Sequence, residues 1–250
     1  MWDVTSEMRH SALVVLAAVL VMSCIPAGTA HALGDILFPG SRSVPWPARN
    51  FRIEVSDAEL FGIAGLRSSG VRATAPVWMT SLQLELVRTG NELAAETRAT
   101  LRVAAGPVAI EAGVERAVAD ARSASLTSMG VRARLPVGAR TVLLFHAGGI
   151  GVAGIYDPGF DAEVALVLRP AEAVRFEAAL LVHRRYGETL RLAAEVRAGP
   201  PLALRAGFDA AAENASAGIR VRVRAMSLEV GADVHAVLGL SQRVSLIWGR

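Results

Sequence analysis

The side chains able to do chemistry in this 250-residue chain are few and far apart. Beyond the first 32 residues only His146, His183 and His235 remain as histidines, and a metal centre needs its ligands gathered together. His183 has Glu177 near it in sequence and His235 has Asp233, which reads as polar histidines rather than ligands. His235 and Ser241 together offer a base and a nucleophile, the pairing a phospholipase would need. The stretch Gly148-Gly149-Ile150-Gly151-Val152-Ala153-Gly154 is not followed by the Lys-Ser/Thr of a phosphate loop, nor by a crossover helix. It reads as a flexible loop or a kinked strand end, with residues 155–160 as a loop. The densest charge is Arg220, Arg222 and Arg224, followed by Glu229, Asp233 and His235. The favoured reading pairs these arginines with Glu229, Glu195 or Asp209; the alternative is an anion-selective patch of the kind basic rings make in pores.

The basic residues number 26 and all are arginine, so Schiff-base, phosphate-loop and general-base lysines are excluded. Cys24 is the only cysteine, which excludes a disulfide within the chain and a cysteine-based zinc site. No catalytic, cofactor-binding or metal-binding residue is assigned, and the chain is read as a non-enzyme.

The elements that must position the charged row have a period of two. Val174, Phe176, Ala178, Leu180 and Val182 fall on one face, and Arg175, Glu177, Ala179, Leu181 and His183 on the other. The same alternation recurs over residues 190–197, 202–209, 219–224, 226–235 and 243–248. It predicts strands with two unlike faces, whereas a helix would scatter Arg220, Arg222 and Arg224. The first half alternates less cleanly, around Leu82, Val108, Met129 and Ala162, and residues 92–103 are rich in helix formers but read as a strand. Turn signals such as Thr89-Gly90-Asn91, Gly106-Pro107 and Gly199-Pro200-Pro201 recur every 10 to 20 residues. A change of parity alone implies a turn between Arg224 and Met226. The count is 12 to 14 strands after Phe51, joined as consecutive hairpins.

Hydrophobic residues make up 52% of the chain, charged residues 20%, and the mean hydropathy is +0.40, which excludes a disordered polypeptide. The net charge of +3 comes from arginines spread along the sequence, so no nucleic-acid partner is expected. Arg9, an apolar run over residues 11–23 and Ala30-His31-Ala32 predict a cleaved signal peptide over 1–32. The apolar run is too short for a spanning helix, which needs about 20 residues. A retained anchor and a lipoprotein signal at Val21-Met22-Ser23-Cys24 are the other readings. Residues 33–68 then form an N-terminal segment, a hatch or a first strand, and 69–250 the β-domain.

A soluble sandwich or lipoprotein that binds a partner or lipid would turn its apolar face inward. A membrane barrel turns that face to lipid and keeps a polar lumen. Arg and Glu interleaved with Ala and Gly suit a crowded polar interior, because small residues make room and arginine holds its charge when partly buried. The expected fold is therefore an all-β, antiparallel, up-and-down transmembrane barrel of about 12–14 strands in a bacterial outer membrane. Trp78, Tyr156, Tyr186 and Trp248 supply a sparse interfacial belt.

Two motifs carry a family resemblance. His235, Leu238, Gly239, Ser241, Arg243, Ser245 and Leu246 match the closing His-Pro-x-Leu-Gly-x-(Ser/Thr)-His-Arg-x-Ser-Leu of PorV-like and FadL-like outer-membrane proteins, with Ala236 and Gln242 in place of Pro and His. Asp57-Ala58-Glu59-Leu60-Phe61-Gly62-Ile63-Ala64-Gly65-Leu66 resembles the family's Asp-Ala-…-Leu-Phe-x-Asn-Pro-Ala-Gly-Leu, without its Asn-Pro. The resemblance implies a barrel of about 14 strands with an N-terminal segment near the lumen. It implies a structural role for His235 and Ser241 at the last turn. FadL-like members carry hydrophobic compounds inward and PorV-like members shuttle secreted cargo. The role expected here is passage or binding of a small hydrophobic molecule, or a structural role in the envelope, with membrane lipid and a small hydrophobic ligand as partners.

Overall fold

The computed structural model describes residues 50–249, apart from 64, 92–93, 120–121, 155–160, 184–186 and 211–212. The signal peptide expected over 1–32 lies outside the described residues, as do Cys24, Tyr156 and Tyr186. Fourteen strands follow in order: β1 (Arg52–Glu59), β2 (Arg67–Val77), β3 (Thr80–Gly90), β4 (Ala94–Ala105), β5 (Val108–Ala119), β6 (Arg122–Gly138), β7 (Thr141–Gly154), β8 (Asp161–Ala171), β9 (Val174–His183), β10 (Gly187–Arg197), β11 (Leu202–Asp209), β12 (Asn214–Val223), β13 (Met226–His235) and β14 (Gly239–Gly249).

Each strand pairs antiparallel with its chain neighbours, and β1 pairs with β14 from Arg52↔Gly249 to Glu59↔Gln242, closing the barrel. Closure leaves no unpaired sheet edge. The N-terminal segment read over 33–68 thus contributes a full wall strand at β1; residues 33–49 lie outside the described residues.

Three local features show how sequence becomes geometry. The parity change at Arg224 is a two-residue turn, with Val223 opposite Met226 and Arg224 at φ 55°. A non-glycine residue there is strained, and the ladders on either side hold it. Residues 94–105, despite their helix formers, lie flat between β3 and β5, because ladder pairing on both sides outweighs a propensity of a few tenths of a kcal/mol per residue, as a rough figure. The glycine run 148–154 proves to be the end of β7, not a loop, and the β6–β7 register slips twice beside it. These slips are bulges, which bend a strand and re-aim its side chains.

The two mouths differ. At the mouth where β1 begins and β14 ends, the connections span two residues, except for four at 198–201. At the other mouth they run from two to seven residues, the longest being 60–66. Outward-facing side chains are apolar through the middle of the wall: Val55 is 47% exposed, Leu180 49%, Leu192 46% and Val221 42%. From Val174 to Val182 this row spans roughly 20 Å along the barrel axis, at ~3.3 Å per residue and ~40° tilt. Charges mark its edge at the long-loop mouth, where Arg67 meets Asp57 at 2.7 Å. At the short-turn mouth Phe51 packs edge-on against Trp248, with ring centroids 5.7 Å apart, and Trp78 stands fully exposed.

Candidate functional site: a charged lumen

The charged part of the inward row is built from arginine and glutamate set among small residues, glycine included. Glycine lies where an arginine or glutamate side chain must lie flat against the wall. A Cβ on Gly130 would sit 2.8 Å from Glu111 Oε1, and one on Gly231 would sit 2.8 Å from Arg243 Nη2. The small residues in the polar row are therefore space for the charges beside them.

Two networks fill the lumen. The first centres on Glu111 of β5. Its Oε2 accepts from Arg102 Nη2 at 3.0 Å and Arg132 Nε at 2.8 Å, and its Oε1 lies 2.8 Å from His146 Nε2. His146 Nδ1 lies 3.6 Å from Asp161. The second centres on Glu229 of β13, which receives Arg220 at 2.7 Å, Arg205 at 3.0 Å and Arg243 at 3.7 Å. Glu195 binds Arg205 at 2.7 Å and reaches Arg220 at 4.0 Å, and Asp233 holds Arg243 at 3.5 Å. A smaller chain joins Arg52, Glu54, Arg72 and Glu85. Charges this buried must be paired, since an isolated one costs several kcal/mol, as an order of magnitude.

Of the residues singled out from sequence, Arg220, Glu229 and Asp233 meet in the second network. Arg220 takes Glu229 and Glu195; Asp209 instead pairs with Arg191 and accepts a hydrogen bond from Thr189. Arg222 and Arg224 leave the network. Arg222 Nε donates to the Arg224 carbonyl at the short-turn mouth, and Arg224 forms the turn itself. His235 Nδ1 accepts from the backbone N–H of Val237 at 3.1 Å and Leu238 at 3.2 Å, so it caps the β13–β14 turn. No backbone or side-chain arrangement at Ser241 points it at a substrate: its Oγ accepts the Phe61 N–H at 2.9 Å.

That contact joins the two sequence motifs. The β1–β2 loop folds onto the β13–β14 turn at the long-loop mouth, with Phe61 edge-on to His235 at 6.1 Å. Leu60 is fully buried beneath it, packed with Ala58 and Val87.

The Glu111 network was not foreseen. Arg102 stands opposite Glu111 in the register that the Gly106–Pro107 turn dictates, so that pair could be read from the turn. His146 reaches Glu111 from two strands away, and no turn reports that distance. Among the described residues no group of three metal-ligating side chains occurs.

On the short-turn side the lumen widens into a cavity of about 750 Å³. Its wall carries nine arginines and four glutamates. Arg52 Nε and Arg175 Nε, both in this wall, are buried without a hydrogen-bond partner.

No protein-family model matches the chain, and no curated protein matches it. Among solved structures, an engineered variant of the Rh. blastica porin covers 80% of this chain with 99% of its own length, at 9% identity and TM-score 0.48. A structure described as "Asymmetric conductivity of engineered proteins" covers the same shares at 9% identity and TM-score 0.49. A further Rhodopseudomonas blastica porin variant is similar at 8% identity and TM-score 0.47.

Proposed function

We propose that this chain is a bacterial outer-membrane β-barrel, delivered by a signal peptide over 1–32, through which small solutes pass or in which they bind, without enzymatic activity. One observation carries the reading: around the closed wall the outward row is apolar while the inward row holds the ion pairs. Each large apolar side chain left in water forgoes about 1.5–3 kcal/mol, so a continuous belt of them requires a lipid partner. The soluble-sandwich alternative would need the opposite arrangement. Nucleic acid does not fit either, because most of the described arginines turn inward rather than forming a basic outer face.

The charged lumen favours small water-soluble solutes. Passage of small hydrophobic molecules is the second reading, favoured by an apolar arc of Val142, Leu144, Val167 and Ala179 on the inward face of β7–β9. The PorV/FadL-like assignment is supported by the meeting of its two motif segments at one mouth.

The test is migration on unboiled detergent gels, followed by conductance in a planar bilayer. The expected result is a heat-dependent shift in mobility and discrete conductance steps. A chain that stays soluble without detergent and shows no heat shift overturns the membrane reading; a heat-modifiable barrel that never conducts overturns passage.

A further inference from the structure

We infer that the cavity at the short-turn mouth is a binding site for a small multivalent anion carrying phosphate or carboxylate groups. The inference deepens the membrane-barrel reading by naming the solute class, but needs only the cavity, not transit across the barrel.

Of the nine arginines in the cavity wall, Arg72 and Arg175 also engage Glu85 and Glu177 beside the cavity, so against these two and the wall's own four glutamates the nine leave an excess of three positive charges. Three of the wall's four glutamates are already engaged: Glu54 by Arg52 and Arg72, Glu195 by Arg205 and Arg197, and Glu229 by Arg205 and Arg220. The fourth, Glu172, is exposed in the β8–β9 turn. The surplus therefore falls on the rim. Among the described residues no carboxylate lies within ion-pair distance of Arg140, Arg169 or Arg222. Arg140 donates instead to the Pro170 carbonyl and Arg222 to that of Arg224. The Arg169 N–H donates to the Arg140 carbonyl at 2.8 Å, which ties the β6–β7 turn to β8 and sets the two guanidinium groups on one arc. Arg222 stands on β12, four places round the wall.

Unpaired guanidinium groups around a cleft with low-dielectric walls concentrate the field there, and their planar donor pairs match phosphate and carboxylate oxygens. The ion pairs deeper in the lumen are neutralised locally, so the attraction is confined to this mouth. The sequence triad Arg220, Arg222 and Arg224 pointed near the place but not at the set: Arg220 is consumed by Glu229, and Arg140 and Arg169 come from strands far away in the chain.

The experiment is calorimetric titration of inorganic pyrophosphate into the full barrel in neutral detergent at low salt. Saturable binding that weakens as salt rises is expected. The triple variant Arg140→Ser, Arg169→Ser, Arg222→Ser lies outside the buried networks, and its fold is checked by heat-modifiable migration. It should bind at least about tenfold more weakly. Glu172→Gln removes the one unengaged acid and should tighten binding. Phosphatidylglycerol titrated in place of pyrophosphate tests a lipid headgroup as the source of the phosphate. No pyrophosphate binding, equal binding by the folded triple variant, or arginine-dependent binding of the lipid alone overturns the site. Failure here with a heat-modifiable, conducting barrel leaves the membrane reading standing; absence of the barrel removes both.

Discussion

On the β4–β7 side of the lumen a single carboxylate, Glu111, receives Arg102, Arg132 and His146, with Asp161 reaching only the histidine. On the β10–β14 side three carboxylates, Glu195, Glu229 and Asp233, share Arg205, Arg220 and Arg243. The second network sets three carboxylates against three arginines, whereas in the first Arg102 and Arg132 share Glu111. The second also borders the short-turn cavity through Glu195, Glu229, Arg205 and Arg220, whereas the first does not. Two separate sectors of one wall thus use the same residue types for different ends. One is a lock with a single pin; the other is a shared lattice that can lose a member and faces solvent.

The strongest challenge to this contrast is Glu111→Gln. It removes the carboxylate that Arg102, Arg132 and His146 share, and should cost about 3–5 kcal/mol, read from the denaturant midpoint in detergent. Glu229→Gln is expected to cost less, about 2 kcal/mol, because Glu195 and Asp233 still hold the three arginines. If the second loss equals or exceeds the first, redundancy is not what separates the networks.

Glycine substitutions sharpen the same comparison. Gly130→Ala drives a methyl against the Glu111 carboxylate, which three partners pin, and should cost about 1–2 kcal/mol in the same unfolding assay. At Gly231 the obstructing atom is the far end of Arg243, which can swing aside, so Gly231→Ala should cost under about 1 kcal/mol. Equal costs would mean that the Glu111 side chain is freer than its contacts imply. Arg67→Ser, at an exposed outward pair with Asp57, sets the floor: a change of about 0.5 kcal/mol or less, vanishing in high salt.

Much of the barrel was legible because a charged lumen and an apolar outer face impose a parity on the strands. The six C-terminal strands, β9 to β14, could be read directly from Val174, Leu192 or Val221 alternating with Arg175, Arg191 or Arg220. Even the turn at Arg224, which has no turn residue, betrayed itself by a parity change. Closure between β1 and β14 was not legible, since it joins segments some 190 residues apart, as Ser56 and Ser245 do. The Gly148 region reads as either a loop or a kinked strand end for a related reason. Glycine reports freedom or close packing, and only the register slips beside β6 show which applies. The lumen networks were half legible: partners across one tight turn follow from counting, whereas His146 with Glu111, or Arg140 beside Arg169, depends on how the wall curves.

An even number of strands has a topological corollary. Because β1 starts and β14 finishes on the same side, the membrane reading proposed above requires that a tag fused behind Gly249 share a compartment with the arginine-rich mouth. An epitope placed between Val237 and Leu238 must report from the opposite compartment, so one pair of antibody-accessibility measurements on intact cells would orient the whole molecule.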